Sequence, residues 1–232
     1  MSLQPVEGQP GLFREFNEAG EPVGPIVNIR EFREDDKYDT IAIPTGPIPL
    51  GTVFLFFQDI QGKRNLDTNF RTPSKLSAGE SMVLDRVGLY VRSITGTAVV
   101  PPVDFKTITD CAFYELRIND LLQTQGPAIK YPSGYGLYGS TNEEGAGVVS
   151  IGVPATASVS KLVKKQMLNQ NHDLQASLSF EQRQWLTAGQ NPPFASSSDV
   201  VPRITTIGVK EQQGAVLVTN VLHGLLRTPV SK

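Results

Sequence analysis

From residue 41 onward the chain reads as a series of strand-length runs cut apart by turns, and no run is followed by a helix pattern that would close a β-helix-β unit. That argues against a parallel α/β fold and points to antiparallel layers. TVFLFFQ, 52 to 58, is a continuous apolar run bounded by Pro49, Gly51 and Gly62, as suits a strand buried on both faces. SMVLDRVGLYVRSI, 81 to 94, alternates over Val83, Asp85, Val87, Leu89 and Val91, which predicts a long strand with one buried face. CAFYELRIND, 111 to 120, sets Ala112, Tyr114, Leu116 and Ile118 on one face and Phe113, Glu115 and Arg117 on the other, so Glu115 and Arg117 belong to a solvated surface.

VVSIGV, 148 to 153, DLQASLSF, 173 to 180, and AVLVTNVLHGLL, 215 to 226, continue the series. VSKLVKKQML, 159 to 168, fits a helical face as well as an alternating strand. The strand is preferred, because NQNHD, 169 to 173, would then turn a hairpin into the strand that follows. A short helix is expected at EQRQWL, 181 to 186.

Twenty-one Gly and 17 Pro in 232 residues agree with a turn-rich β fold, since both residues break helix interiors. The length suits one domain with elaborate loops, here 41–232. Residues 1–40 have no sustained apolar period, four prolines, and nine acidic against four basic side chains, which predicts an extended N-terminal arm. Leu12, Phe13, Phe16, Ile26, Phe32 and Tyr38 give this arm more apolar bulk than a solubilising tail needs, so it is expected to pack on something.

Lys and Arg total 21 against 23 Asp and Glu, so the net charge of -2 supplies no long-range attraction for nucleic acid, and no sequence-specific nucleic-acid binding is expected. The single Cys111 cannot form an internal disulfide and reads as a small buried side chain in a strand. The N-terminus MSLQPVEGQPGLF lacks the basic start and apolar run of a secretory signal, which predicts synthesis in a cytoplasm.

GYGLYG, 134 to 139, sets Gly134, Gly136 and Gly139 in the register of a dinucleotide fingerprint. That fingerprint works where the glycines open a helix whose N-terminus meets the pyrophosphate, and STNEEGAG follows instead. The glycines read better as a tight connection between strands, with Tyr135 and Tyr138 as amphipathic contacts. His172 and His223 stand 51 positions apart without paired cysteines, so no metal and no cofactor is expected. His172 beside Asp173 sits in a polar turn, and no nucleophile elbow accompanies it. The consecutive acids Glu143 and Glu144, and Glu34, Asp35 and Asp36, read as solvated loop charges rather than a facing catalytic pair. Lys161, Lys164 and Lys165 lack interleaved aromatics and read as lysine protection of a strand edge. The chain is not expected to be an enzyme.

Two stretches carry a resemblance. NLDTNFRTPSKLSAGESMVLDRVGLYV, 65 to 91, places Asp67, Thr68 and Asn69, then Leu76, Gly79 and Glu80, ahead of a long strand. VLVTNVLHGLLRTPVSK, 216 to 232, carries Gly224, Arg227, Pro229 and Val230. Both resemble capsid proteins of tailless icosahedral bacteriophages. The resemblance implies an all-β, eight-stranded antiparallel jelly-roll sandwich with long loops, acting as a structural virion protein that self-assembles into an icosahedral shell.

The implied partners are copies of itself and other capsid proteins, with an internal membrane beneath the shell as a further candidate, and the implied location is the virion. Phe13, Phe16, Phe32, Tyr38, Tyr135 and Tyr138 are the subunit-interface candidates, because interfaces favour aromatic anchors. A minor shell role, as a vertex or decoration protein, shares the same fold. The alternative of another class is a carbohydrate-binding or glycan-processing β-sandwich such as a host-attachment protein, with Trp185, Tyr135 or Tyr138 as stacking platforms.

Overall fold

The computed structural model describes residues 2–6, 12–16, 19–22, 27–28, 33–93, 100, 102–132, 137–141, 147–151, 159–181, 202–204 and 216–227. They are predominantly β-strand. Strands β1 (Ser2–Pro5), β2 (Leu12–Phe16) and β3 (Val27–Asn28) pair in a small antiparallel sheet, and the backbone of β1 runs close to β12 (Ser160–Asn169). After them come β4 (Arg33–Ile43), β5 (Gly46–Pro47), β6 (Val53–Phe56) and β7 (Ser81–Ser93). Helix α1 (Pro102–Cys111) leads into β8 (Ala112–Ile118) and β9 (Leu121–Pro127). The remaining strands are β10 (Leu137–Thr141), β11 (Gly147–Ile151), β13 (Leu174–Phe180), β14 (Arg203–Ile204) and β15 (Val216–Arg227).

Two four-stranded antiparallel sheets dominate, with orders β12-β7-β15-β4 and β6-β13-β8-β9. They share one core. Strands β8 and β13 each bury every second residue, so Tyr114, Leu116, Leu178 and Phe180 meet Met82, Leu84, Val218 and Leu222 of the other sheet in a single cluster. Full burial of each such side chain stabilises by about 1.5–3 kcal/mol. Across this core, Asn220 Nδ2 donates to the Tyr114 hydroxyl at 2.7 Å, tying the sheets by a polar contact.

The structure departs from the sequence reading in several places. The first strand of the two four-stranded sheets begins at Arg33, so the boundary drawn between residues 40 and 41 falls inside β4, which pairs with β15 from Arg33 to Ile43. Cys111 is buried as expected but closes a helix rather than lying in a strand. Strand β9 follows β8 through Asn119 and Asp120, both left-handed with φ of 49° and 62°, the geometry of a two-residue hairpin. The turn at 169–173 is not a hairpin, because β12 pairs with β7 while β13 pairs with β6 and β8; it carries the chain from one sheet to the other. The helix expected at 181–186 lies outside the described residues beyond Glu181.

In β7 the alternation holds only in part. His223 pairs with Arg86 and Gly224 with Leu84, leaving Asp85 as an extra residue in a β-bulge. The bulge shifts the parity, so Met82 and Leu84 enter the core before it and Val87 and Leu89 after it, while Val83 is buried outside that cluster. Gly224 sits opposite the bulge, where a Cβ would lie 2.1 Å from the Val83 carbonyl oxygen.

Candidate assembly surfaces

Strand β4 ends its sheet, so half of its backbone groups have no neighbouring strand. The loop bearing Asp67, Thr68 and Asn69 covers this edge. The Asn69 side chain imitates a strand: its Oδ1 accepts the Tyr38 N–H at 2.9 Å and its Nδ2 donates to the Asp36 carbonyl at 2.7 Å. Thr68 adds a hydroxyl bond to the Tyr38 carbonyl at 3.2 Å, and Asp67 is anchored by Arg92 at 3.0 Å. Replacing Asn69 by alanine is expected to cost about 2 kcal/mol, since both hydrogen bonds go and the strand edge is left open. Hydrogen exchange at the Tyr38 amide should accelerate; unchanged protection there would refute the role.

Charged side chains of β4 are held internally on the same side of the molecule. Lys37 is buried, pairs with Glu80 at 2.8 Å and places its ammonium 5.8 Å above the Phe70 ring. Burial raises the Glu80 pKa, but the Lys37 ammonium and the Ser77 N–H outweigh it and hold the carboxyl below its ordinary value. Asp39 is fully buried, accepts the Phe57 N–H at 2.7 Å, and receives Lys63 at 2.9 Å on both oxygens. Phe57 is left-handed with φ of 66°, and its carbonyl accepts Ser74 N–H at 2.7 Å, so this costly conformation is pinned from both sides. Two acidic residues of the resemblance segment, Asp67 and Glu80, therefore act as fasteners to Arg92 and Lys37.

The interface candidates fall in different places. Phe13 and Phe16 lie on β2, with Phe13 opposite Pro5 and Val27, and Phe16 opposite Ser2. Tyr38 stands on β4 rather than on an arm, is half-buried, and donates its hydroxyl to the Asn65 carbonyl. Tyr138 lies on β10 opposite Ser150. Phe32 and Tyr135 lie outside the described residues, as do Trp185, Glu143, Glu144, Pro229 and Val230. Gly139 is in β10, while Gly134 and Gly136 are outside the described residues.

Exposed apolar side chains concentrate on the outer strands, a signal that sequence reasoning missed. Val53 and Leu55 project from β6, Leu121 and Leu122 from β9, and Val163 from β12, where it is 99% exposed; Leu66 does the same from the loop covering β4, at 76%. Pro127 lies opposite Phe113, on the same row as Ser179 and Val53, so three of the four residues in this row on the outer face of the second sheet are apolar. Large exposed apolar groups near one another mark contact surfaces.

The residues weighed for chemistry are engaged in structure. Burial, followed by the Asp110 carboxylate, pushes the Cys111 thiol up to about 11, away from thiolate reactivity at neutral pH. Tyr114 is likewise pushed up, by burial first, with its Asn220 partner opposing. His172 belongs to the turn, with Nε2 3.3 Å from Asn169 Nδ2, and His223 Nδ1 meets Asp36 at 3.0 Å. Glu115 and Arg117 form an ion pair on the solvent side of β8, where alternation places them. A cavity of about 210 Å³ opens between β7, α1 and the turn Ala128–Lys130, lined by Leu89, Val91, Phe105, Ile108 and Tyr131. Among the described residues no group of three His, Cys, Asp or Glu is placed to hold a metal ion, and no helix is long and apolar enough to cross a membrane.

Comparison with protein-family models, with curated proteins and with solved structures finds no match.

Proposed function

We propose that this chain is a structural virion protein, a single jelly-roll capsid subunit that assembles with copies of itself and other capsid proteins into an icosahedral shell. The observation that carries the reading is the strand order. Along the chain, the described strands of the two four-stranded sheets alternate between them, β4, β7, β12 and β15 in one and β6, β8, β9 and β13 in the other, except that β9 follows β8 within the same sheet. Alternation of this kind supports a jelly-roll reading, a fold used by viral capsids. The two stretches resembling phage capsid proteins support it as well: one supplies the loop that covers β4, the other the strand that β4 pairs with.

A shell subunit needs complementary outer surfaces, and the exposed apolar groups on the outer strands are of that kind. The small sheet of β1 to β3, bearing Phe13 and Phe16, is the second contact element, each such aromatic contributing about 1.5–3 kcal/mol where it is buried against a neighbour.

Deleting residues 1–28 removes that sheet but leaves β4 whole. The expected result is a soluble, cooperatively folding protein that no longer forms closed particles, as read by electron microscopy and solution mass. Closed particles of unchanged size would remove the arm from assembly. A full chain that stays monomeric and binds oligosaccharides would overturn the proposal in favour of the host-attachment reading.

A further inference from the structure

Natural sheets blunt their outer strands with charge, cover, bulges or brevity, because an open edge invites pairing with another chain. Three of the four edges here are guarded in that way. The Asn69 loop covers β4, and β1 runs beside the lysine-bearing β12. Strand β6 is four residues long and leads into Phe57, whose carbonyl accepts the Ser74 N–H. Strand β9 differs. Among the described residues no strand, bridge or backbone hydrogen bond lies on its outer side. Its sequence LLQTQGP carries no charge, and Leu121, Leu122, Gln125 and Pro127 are exposed. Its one bulge, at Gln123, lies near its start, and residues 124–127 pair one for one with 113–116 of β8.

The two ends of β9 complement each other. Asp120 stands just before the strand, exposed, and among the described residues its carboxylate joins no ion pair: Arg117 is held by Glu115 and reaches only the Asp120 carbonyl. Lys130 stands just after the strand, also exposed, with Nζ 3.2 Å from the Gln125 carbonyl and 5.3 Å from the centre of the Tyr131 ring, both neutral partners. Leu121 is 67% exposed at one end and Ile129 62% at the other. Gln125 is the midpoint of both pairs, Asp120 with Lys130 and Leu121 with Ile129.

We propose that β9 lies antiparallel along β9 of a second copy of this chain, across a two-fold axis at Gln125. Such an axis sets each residue against the one equally far on the other side, so Leu121 of each copy faces Ile129 of the other and Asp120 faces Lys130. The tight turn Ala128–Lys130 follows the strand, so these end contacts are made by side chains. One patch meets itself, which makes the contact isologous and closes it as a dimer. A second copy is the occupant because a single register matches the edge to itself both in charge and in apolar bulk. Lys130 guards the free edge by occupying the Gln125 carbonyl; drawn to the partner's Asp120, it leaves that carbonyl to the partner strand. The dimer goes beyond the shell reading and does not depend on it.

Single-cysteine chains test the axis. Gln125→Cys sets the two thiols opposite each other, where paired strands hold Cα atoms about 4.5–5.5 Å apart, within reach of a disulfide. Leu121→Cys sets them about 26 Å apart, at about 3.3 Å per residue along the strand. The native Cys111 is buried and does not compete. Under mild oxidation, non-reducing gels should show a covalent dimer forming at least about tenfold faster with Gln125→Cys. Lys130→Glu places like charges at both ends of the contact and should raise the dimer dissociation constant about tenfold or more, as read by sedimentation. Adding Asp120→Asn removes the repulsion with a residue that suits the left-handed backbone there, and should recover much of the loss. Urea midpoints confirm that each chain folds.

Equal cross-linking of the two cysteine chains, or a Lys130→Glu dimer of native strength, would overturn the β9 contact. Loss in Lys130→Glu without recovery on adding Asp120→Asn would overturn it too, as would a native chain that stays monomeric. A dimer that obeys both patterns yet never forms particles would support the contact while failing the shell reading. Closed particles in which Gln125→Cys does not cross-link would overturn the contact and leave the shell reading standing.

Discussion

Gly224→Ala is expected to lower stability by about 3 kcal/mol or more, at the upper end of what forcing an extra carbon into a packed site costs. The added Cβ would lie 2.1 Å from the Val83 carbonyl oxygen and 3.1 Å from Met82 Cε. The methionine end can swing aside. The carbonyl cannot, because it belongs to the backbone of β7 beside the Asp85 bulge, and moving it disturbs pairing with β15. Urea unfolding followed by circular dichroism checks this. A midpoint close to that of the native chain would mean that the bulge relaxes freely and that the glycine is dispensable.

Asp39→Ala is expected to cost a comparable or larger amount, about 3–5 kcal/mol, the range for removing one member of a buried charge pair. Its carboxylate is inaccessible to solvent and serves both the Phe57 N–H and the Lys63 ammonium. Lys63 is 21% exposed and can recover hydration, so the larger loss falls on Phe57. Without its acceptor, the left-handed residue leaves a buried N–H unsatisfied, and the packing of its ring on Phe70, centroids 4.7 Å apart, is no longer supported. Asp39→Asn keeps an acceptor oxygen and should lose less than alanine. Equal losses from the two variants would show that the charge, rather than the hydrogen bond to Phe57, carries the effect.

What could be read from sequence depended on whether burial followed a simple alternation. In β8 and β13 it does, and the faces of Tyr114, Leu116, Leu174 and Leu178 were legible letter by letter. In β7 an inserted residue breaks the alternation, and nothing in the letters at Asp85 marks a bulge. Strand β4 was obscured for a different reason: Arg33 to Asp39 reads as polar loop, yet Lys37 and Asp39 are buried because each meets an opposite charge from a distant loop. Strand β9 starts with two exposed leucines at the sheet edge and so shows no buried face until Gly126. Helix α1 is rich in Thr, Val and Ile, residues whose propensity favours strands, and only its position beside the turn Ala128–Lys130 and β14 gives it a face to bury.

The pairing of β4 with β15 also bears on how the chain reaches its fold. Thr40 and Thr219, whose hydroxyls meet at 2.8 Å in the interior, are 179 positions apart. During synthesis β4 emerges early and waits for its permanent neighbour, with only the loop at Asn69 available to occupy one of its edges. Contacts of such long sequence separation form slowly and leave strand edges open in the meantime. The first sheet is therefore completed only after residues near 220 have left the ribosome, and β4 and β12 take up their positions as its opposite edges at that stage.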